Sequence, residues 1–528
     1  MFQKHSLKRF QPVCVLIVFG IALFLAHDAI AANAKKGEAK VDKTCSDSVQ
    51  QEEMLPVDHL SVTEHKLRTA DFELSYQAVA GALPIRLENN GPECRIFFVG
   101  YQVHGGQGAR RPLTFVFNGG PGASSAYLHL GALGPERVIL DADGSLPGPP
   151  AQLVDNLETW LRFTDLVFVD PVGTGYSRCW KKNGEKATQK IEGKAWGVKE
   201  DLKTLAAFIR LYLTRNNRWL SPRFLVGESY GGFRVAALAD VLQNNYDIAL
   251  NGVVLLSPSL EFELLRGNEF SLLPWVARLP SLAATARYHG KAVGPLGKDG
   301  DIRQSLQDVE RFAVEAYLPA LAKADTEVIQ SRLANFIGLP AQRLAQLNAR
   351  VSPRIFSKEL LRQEGRLVSL YDGSVTAIDP DPASPFPPGK DPLLVQLNTL
   401  LAAAFNGYVR EQLKFETDIP YEILNVEVAH RWDWRSGLDG PQGYVGVAGN
   451  LKNAMSLNQQ LRVFIAHGIF DLVTPYFGSV LITDQMALDP AIVSNLQLKV
   501  YPGGHMFYTH DKARQQFYTD VRQFYLMP

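Results

Sequence analysis

The run Arg223-Phe224-Leu225-Val226-Gly227-Glu228-Ser229-Tyr230-Gly231 constrains this chain more than any other stretch. A short apolar strand enters a G-x-S-x-G pattern, and the Ala-, Leu- and Val-rich stretch Gly231–Asn244 leaves it as a helix. Passing from strand to helix this abruptly holds the serine in a strained backbone and projects its Oγ, while the flanking glycines let neighbouring backbone pass where a Cβ would clash. A turn serine without chemistry also satisfies the bare pattern. The strand before it and the helix after it supply the context that a nucleophile needs.

The same punctuation recurs along the chain. Leu113–Phe117 stops at Asn118-Gly119-Gly120-Pro121-Gly122, and Asp165–Asp170 stops at Pro171-Val172-Gly173-Thr174-Gly175. Val253–Leu256, Arg462–Ala466 and Leu498–Tyr501 are further strand runs, and Arg95–Tyr101 reads as one of several early strands on an antiparallel edge. Lys194–Thr214 carries Val198, Leu202, Leu205, Phe208, Ile209 and Leu213 near helical spacing. Buried strand runs alternating with helices predict an α/β fold with a mainly parallel central sheet covered on both faces. From about Glu261 to Asn458 the alternation lapses into helical stretches, including 308–321, 325–336 and 340–349, with a Pro-rich loop at 379–392. The expected organisation is a signal peptide at 1–31, a mobile leader at 32–59, core at 60–260, a mostly helical cap at 261–458, and core again at 459–528.

The signal peptide rests on Lys4, His5, Lys8 and Arg9, the apolar run Val13–Leu25 and the small residues Ala29-Ile30-Ala31. That run is shorter than the ~20 residues of a spanning helix, so the expectation is export to a periplasmic or secreted location with no stable membrane insertion after cleavage. Lys+Arg and Asp+Glu both number 54, which gives nucleic acid no purchase. Cys14 falls inside the signal, leaving Cys45, Cys94 and Cys179, with one disulfide expected and all three pairings open. No Asn begins an N-x-Ser/Thr sequon, which fits a bacterial envelope better than a eukaryotic secretory route.

A serine becomes nucleophilic through a base that a third group orients. Asp471 and His505 each follow a strand run, in Gly468-Ile469-Phe470-Asp471 and Gly503-Gly504-His505-Met506, where open α/β sheets place their sites. His467 competes with His505, but it sits on the strand end, where packing or capping is expected. Two backbone N–H donors for an oxyanion would come from Tyr230 and from the Asn118–Gly122 loop. No metal-spaced cluster, P-loop or dinucleotide fingerprint is present, so neither cofactor nor metal is expected. Trp432-Asp433-Trp434 is expected to pack rather than to line a subsite.

Four segments together resemble the serine carboxypeptidase family: Asn118–Gly122 with Ser124-Ser125, Asp170–Ser177, Gly227–Tyr230 and Gly504–Met506. The resemblance implies a triad of Ser229, Asp471 and His505, oxyanion N–H groups from Gly120 and Tyr230, and a substrate C-terminal carboxylate held by Asn118, Gly119 and Glu228. Glu228 would then have to be neutral to donate a hydrogen bond, unlike a glutamate ion-paired with Arg234. Two positions depart from the family pattern: Ala123 stands where Cys is usual, and Ala132 where a second glutamate would pair with the first. The implied function is serine-type carboxypeptidase, in a bacterial-type member, with a peptide as partner and no implied oligomeric state. An esterase or acyltransferase using the same triad is the alternative, and a non-catalytic binding protein on a hydrolase fold is the more distant one.

Overall fold

A computed structural model describes Leu55 and residues 60–86, 92–105, 110–181, 189–268, 270–298, 300–435 and 444–526. The expected signal peptide and nearly all of the expected leader, with Cys14 and Cys45, lie outside the described residues.

Ten strands make the main sheet: β1 (Ser61–Arg68), β2 (Glu73–Arg86), β3 (Glu93–Val103), β4 (Leu113–Phe117), β5 (Asp165–Val169), β6 (Arg178–Trp180), β7 (Arg223–Glu228), β8 (Gly252–Leu256), β9 (Arg462–Gly468) and β10 (Leu496–Tyr501). Their order is β1-β2-β3-β5-β4-β7-β8-β9-β10, with the short β6 paired to β3. The run from β5 to β10 is parallel, and β1, β2 and β3 join it antiparallel. Every residue of β4, β5 and β8 is buried, as expected of strands covered on both faces. Alternation divides them between two cores. Phe115, Leu225 and Val253 face one, and their neighbours Val116, Val226 and Val254 face the other.

Helices α1 (Val198–Arg215) and α2 (Tyr230–Tyr246) cover the first face through Leu205, Phe208, Phe233 and Leu238. Between β8 and β9 the described residues add no strand to the main sheet. Its first half holds α3 (Leu273–Tyr288), α4 (Ile302–Phe312) and α5 (Glu327–Ile337), which share a separate core around Leu282, Val309 and Leu333. A small hairpin pairs Arg366–Val368 with Thr376–Ile378. Its second half joins the sheet's own cores. Leu401, Phe405 and Tyr408 of α6 (Pro392–Glu411) enter one, and Leu451 and Met455 of α7 (Ala448–Leu457) the other. Helix α8 (Asp511–Leu526) covers the second face through Phe517, Val521 and Phe524.

Every strand read from the sequence is present, with bounds shifted by a few residues. Two differences lie in the inserted part. The predicted helix at 308–321 is instead α4, a wider turn at Ala313–Tyr317 and a short helix Leu318–Lys323. Helix α3 went unread because Pro280 interrupts its pattern; the helix runs through that proline, buried among Leu279, Leu282 and Ala283. Cys94 of β3 and Cys179 of β6 form the disulfide. Among the described residues no helix is long and apolar enough to cross a membrane.

Candidate active site

Ser229 lies between the last residue of β7 and the first of α2, with φ 60° and ψ −123°. A non-glycine residue held there costs of order 1–3 kcal/mol. The turn closes because Gly227 permits it: a Cβ on that residue would stand 2.0 Å from the Gly231 carbonyl oxygen. Gly119 faces a similar constraint from the other side, since its Cβ would lie 2.5 Å from the Tyr230 nitrogen. The glycine loop after β4 is therefore pressed against the N-terminus of α2, where the first N–H groups have no partner within the helix.

His505 and Asp471 meet on the loops after β10 and β9. His505 Nδ1 is 2.8 Å from Asp471 Oδ2. The second carboxylate oxygen accepts from the Val473 N–H at 2.8 Å and the Thr474 N–H at 2.9 Å. The Thr474 hydroxyl stands 2.7 Å from Asp471 Oδ2 and 3.0 Å from His505 Nδ1. Burial opposes ionisation of Asp471, yet the adjoining imidazole and these donors hold its pKa below the ordinary value. Burial also works against a charged His505, but Asp471 and, more remotely, Glu228 raise its pKa above the usual histidine value. This geometry fixes the imidazole with Nδ1 toward the carboxylate and Nε2 free to handle a proton elsewhere.

Glu228, the residue before the serine, is buried. Asn118 Nδ2 donates to its Oε2, and the Tyr508 hydroxyl reaches Oε1 at 3.0 Å and Oε2 at 3.1 Å. Asn118 is itself fixed, because its Oδ1 accepts from the Leu128 N–H at 3.1 Å. Burial pushes the Glu228 pKa up to about 7, against the opposing pull of His505, Tyr508 and Asn118. Arg234 does not pair with it; its guanidinium binds Asp201 at 2.7 Å, both groups buried. Ala132 is buried nearby in the wide turn His129–Leu133, and the Tyr508 ring fills the neighbouring space, 3.0 Å from where a Cβ on Gly131 would stand.

Asn118, Gly119, Gly120, Glu228, Ser229 and His505 all line one cavity of about 280 Å³. Asp471 lies behind His505. Tyr230 turns its ring away to stack on Phe233 and leaves its backbone toward the glycine loop. A segment of the insertion straps that loop down: Ser124 N–H donates to the Ile423 carbonyl at 3.0 Å, and Asn425 N–H to the Gly122 carbonyl at 2.8 Å. The same segment exchanges hydrogen bonds between Glu422 and Gly175 on the loop after β5.

His467 is buried, its Nε2 2.8 Å from the Ser479 hydroxyl, and burial lowers its pKa to about 4. Trp432 donates to the Tyr230 hydroxyl at 3.1 Å, and Trp434 packs edge-on against Tyr230 and Phe262. Both pack against Tyr230 and lie outside the cavity lining. Three contributors escaped the sequence: Thr474, Tyr508 and Tyr371, whose carbonyl accepts from the His505 N–H at 2.5 Å. The first two lie three residues beyond Asp471 and His505, a local signal that could have found them; Tyr371 arrives from the insertion with none. Among the described residues no group of three or more His, Cys, Asp or Glu side chains is placed to hold a metal ion.

A mainly parallel sheet, an elbow serine and a buried Asp–His pair after later strands define an α/β-hydrolase. Residues 72–264, well under half of the chain, match the family model described as serine carboxypeptidase. Among curated proteins the chain is similar to serine carboxypeptidase-like 9 of Arabidopsis thaliana, 28% identical over 222 residues, 39% of this chain and 47% of that one. It is also similar to the pheromone-processing carboxypeptidase KEX1 of Yarrowia lipolytica, 31% identical over 147 residues, 28% of this chain and 21% of that one. The alignments thus span about half or less of these relatives. A crystal structure of Kex1(delta)p, a prohormone-processing carboxypeptidase from Saccharomyces cerevisiae, superposes with a TM-score of 0.51 at 16% identity, over 84% of this chain and 91% of that one. That likeness speaks for the fold.

Proposed function

We propose that the protein is a serine-type carboxypeptidase that removes C-terminal residues from peptides through an acyl-enzyme. Ser229 attacks the scissile carbonyl, and His505 takes its proton and returns it to the leaving amine. Asp471 holds the imidazole, the Gly120 and Tyr230 N–H groups receive the oxyanion, and water hydrolyses the acyl-enzyme. The observation that carries the exopeptidase reading is Glu228, buried beside the serine with its pKa pushed up to about 7. A neutral carboxyl there can donate to a substrate carboxylate, and the Asn118 amide and Gly119 N–H can join it. A plain esterase has no use for such a group.

The inserted part, residues 261–458, serves in this reading as a cap over the cavity, contributing Tyr371, Leu394 and Leu424 to its wall. Export through a signal peptide at 1–31, followed by a leader to residue 59, agrees with the Cys94–Cys179 disulfide, which suits an oxidising compartment. A secreted destination is the preferred form of this proposal. The relatives described above are plant and fungal and lend no support to a bacterial-type member or to a periplasm.

The deciding experiment offers the purified protein a blocked dipeptide with a free C-terminus, its C-terminal amide and its methyl ester. Release from the free acid, lost in Ser229→Ala by on the order of 10⁶-fold in kcat, is the expected result. Turnover of the ester with no release from the free acid would replace the carboxypeptidase reading with the esterase one.

A further inference from the structure

Two parts of the cavity lining differ in chemistry. One is the Asn118–Glu228 pair, backed by Tyr508. Another is the chain just beyond β8, which contributes Phe262, Leu265 and Arg266. Arg266 is the only lysine or arginine among the described lining residues. Its guanidinium lies over the Phe262 ring at 5.3 Å and the Trp434 ring at 5.1 Å. Among the described residues it has no ion-pair partner, although Glu263 shares its short helix. Two aromatic faces hold the cation by stacking and cation–π attraction, yet neither neutralises it.

We propose that Arg266 selects peptides whose residue on the acyl side of the scissile bond is acidic, so that the preferred substrates end in Asp-X or Glu-X. This rests on the carboxypeptidase reading. With the terminal carboxylate held by Asn118 and Glu228, the departing residue lies against them. The residue whose carbonyl Ser229 attacks then extends toward the wall of Phe262 and Arg266. That wall lines the same cavity as Gly120 and Ser229. A carboxylate there meets a guanidinium whose planar fork can take it bidentately. Arg266 remains exposed overall, so the gain is moderate and sensitive to salt.

The test measures kcat/KM on three blocked dipeptides that share one C-terminal residue and carry Glu, Gln or Lys before it. Wild type should favour Glu over Gln by about two- to fivefold, and Gln over Lys. Arg266→Gln should level Glu with Gln, Arg266→Glu should reverse the Glu-to-Lys order, and Arg266→Lys should keep part of the preference. Raising ionic strength should shrink the wild-type preference. A packing defect would depress all three peptides alike, so variants that keep the wild-type Glu-to-Lys ratio overturn the proposal, as does a wild type that cleaves Gln as well as Glu. Ester turnover with no cleavage of any free-acid peptide would sink the underlying reading, and this proposal with it.

Discussion

Two buried carboxylates belong to the candidate site, and burial alone would raise the pKa of both. Asp471 is 0% and Glu228 3% exposed, yet Asp471 ends below its ordinary value while Glu228 is pushed up to about 7. The difference lies in the donors. Asp471 accepts two backbone N–H bonds and a hydroxyl, and it touches an imidazole that can carry charge. Glu228 has a neutral amide and a phenol, and Arg234, close in sequence, is committed to Asp201. The proposed site thus pairs a carboxylate held ionised beside a histidine with a second one, next to the serine, whose pKa lies near neutrality. The largest break in this contrast is Asp471→Asn. The amide preserves the shape but removes the charge and favours the wrong imidazole tautomer, so kcat on an ester should fall by about 10⁴-fold with KM little changed. A loss below tenfold would mean that Asp471 does not orient His505.

The two carboxylates also communicate through His505. Glu228 raises the histidine's pKa, and the histidine lowers that of Glu228. On the proposed reading, turnover of a free-acid peptide requires Glu228 protonated and His505 neutral, whereas the reverse placement of the same proton is inactive. The sign follows from the Glu228 value of about 7. Below it the acid is neutral and, on that reading, would receive a carboxylate; above it the anion would repel one. Wild-type kcat/KM on free-acid peptides should therefore fall by roughly tenfold between pH 7 and pH 8.5, while esters decline far less. Glu228→Gln keeps a donor without a charge, so that decline should flatten. Identical pH profiles for free acid and ester in wild type would remove Glu228 from carboxylate recognition.

The contrast also marks what the sequence could disclose. The strands, the elbow and the Asp471 and His505 loops were legible because each signal is local: an apolar run, then a glycine, then one reactive side chain. The Glu228 environment was legible only in part. Asn118 follows a strand and could be read, but the donor Tyr508 meets Glu228 across 280 positions of sequence. A residue pair so distant leaves no periodicity to detect. The insertion shows the same limit: α3 hides behind Pro280, and the strap at 421–425 has no strand pattern because each of its bridges is isolated. Its hydrogen bonds exist only once the two glycine loops are in place.

Tyr508→Phe makes the smallest and most specific change to the contrast. The ring would keep its packing beside Gly131 and Phe507, and only the hydroxyl at 3.0 and 3.1 Å from the Glu228 oxygens would go. The charged and titratable groups around Glu228 are His505, Asp471, Tyr508, Tyr127 and Tyr371, with the Asn118 amide as the remaining direct donor. Removing the phenol withdraws a donor from the ionised form, which raises the Glu228 pKa further. A hydrogen bond to a charged group is worth about 1.5 kcal/mol, or about one pH unit. The alkaline limb for free-acid peptides should move up by that amount, and kcat/KM at pH 8 should rise roughly fivefold while ester turnover stays close to wild type. In a Glu228→Gln background the same substitution should move no limb, because the group it acts through no longer titrates; the two changes form a cycle whose coupling isolates the contact. A limb that stays in place in the single variant, or that moves in the double one, would show that Tyr508 does not act through Glu228, and burial alone would then account for the difference between the two carboxylates.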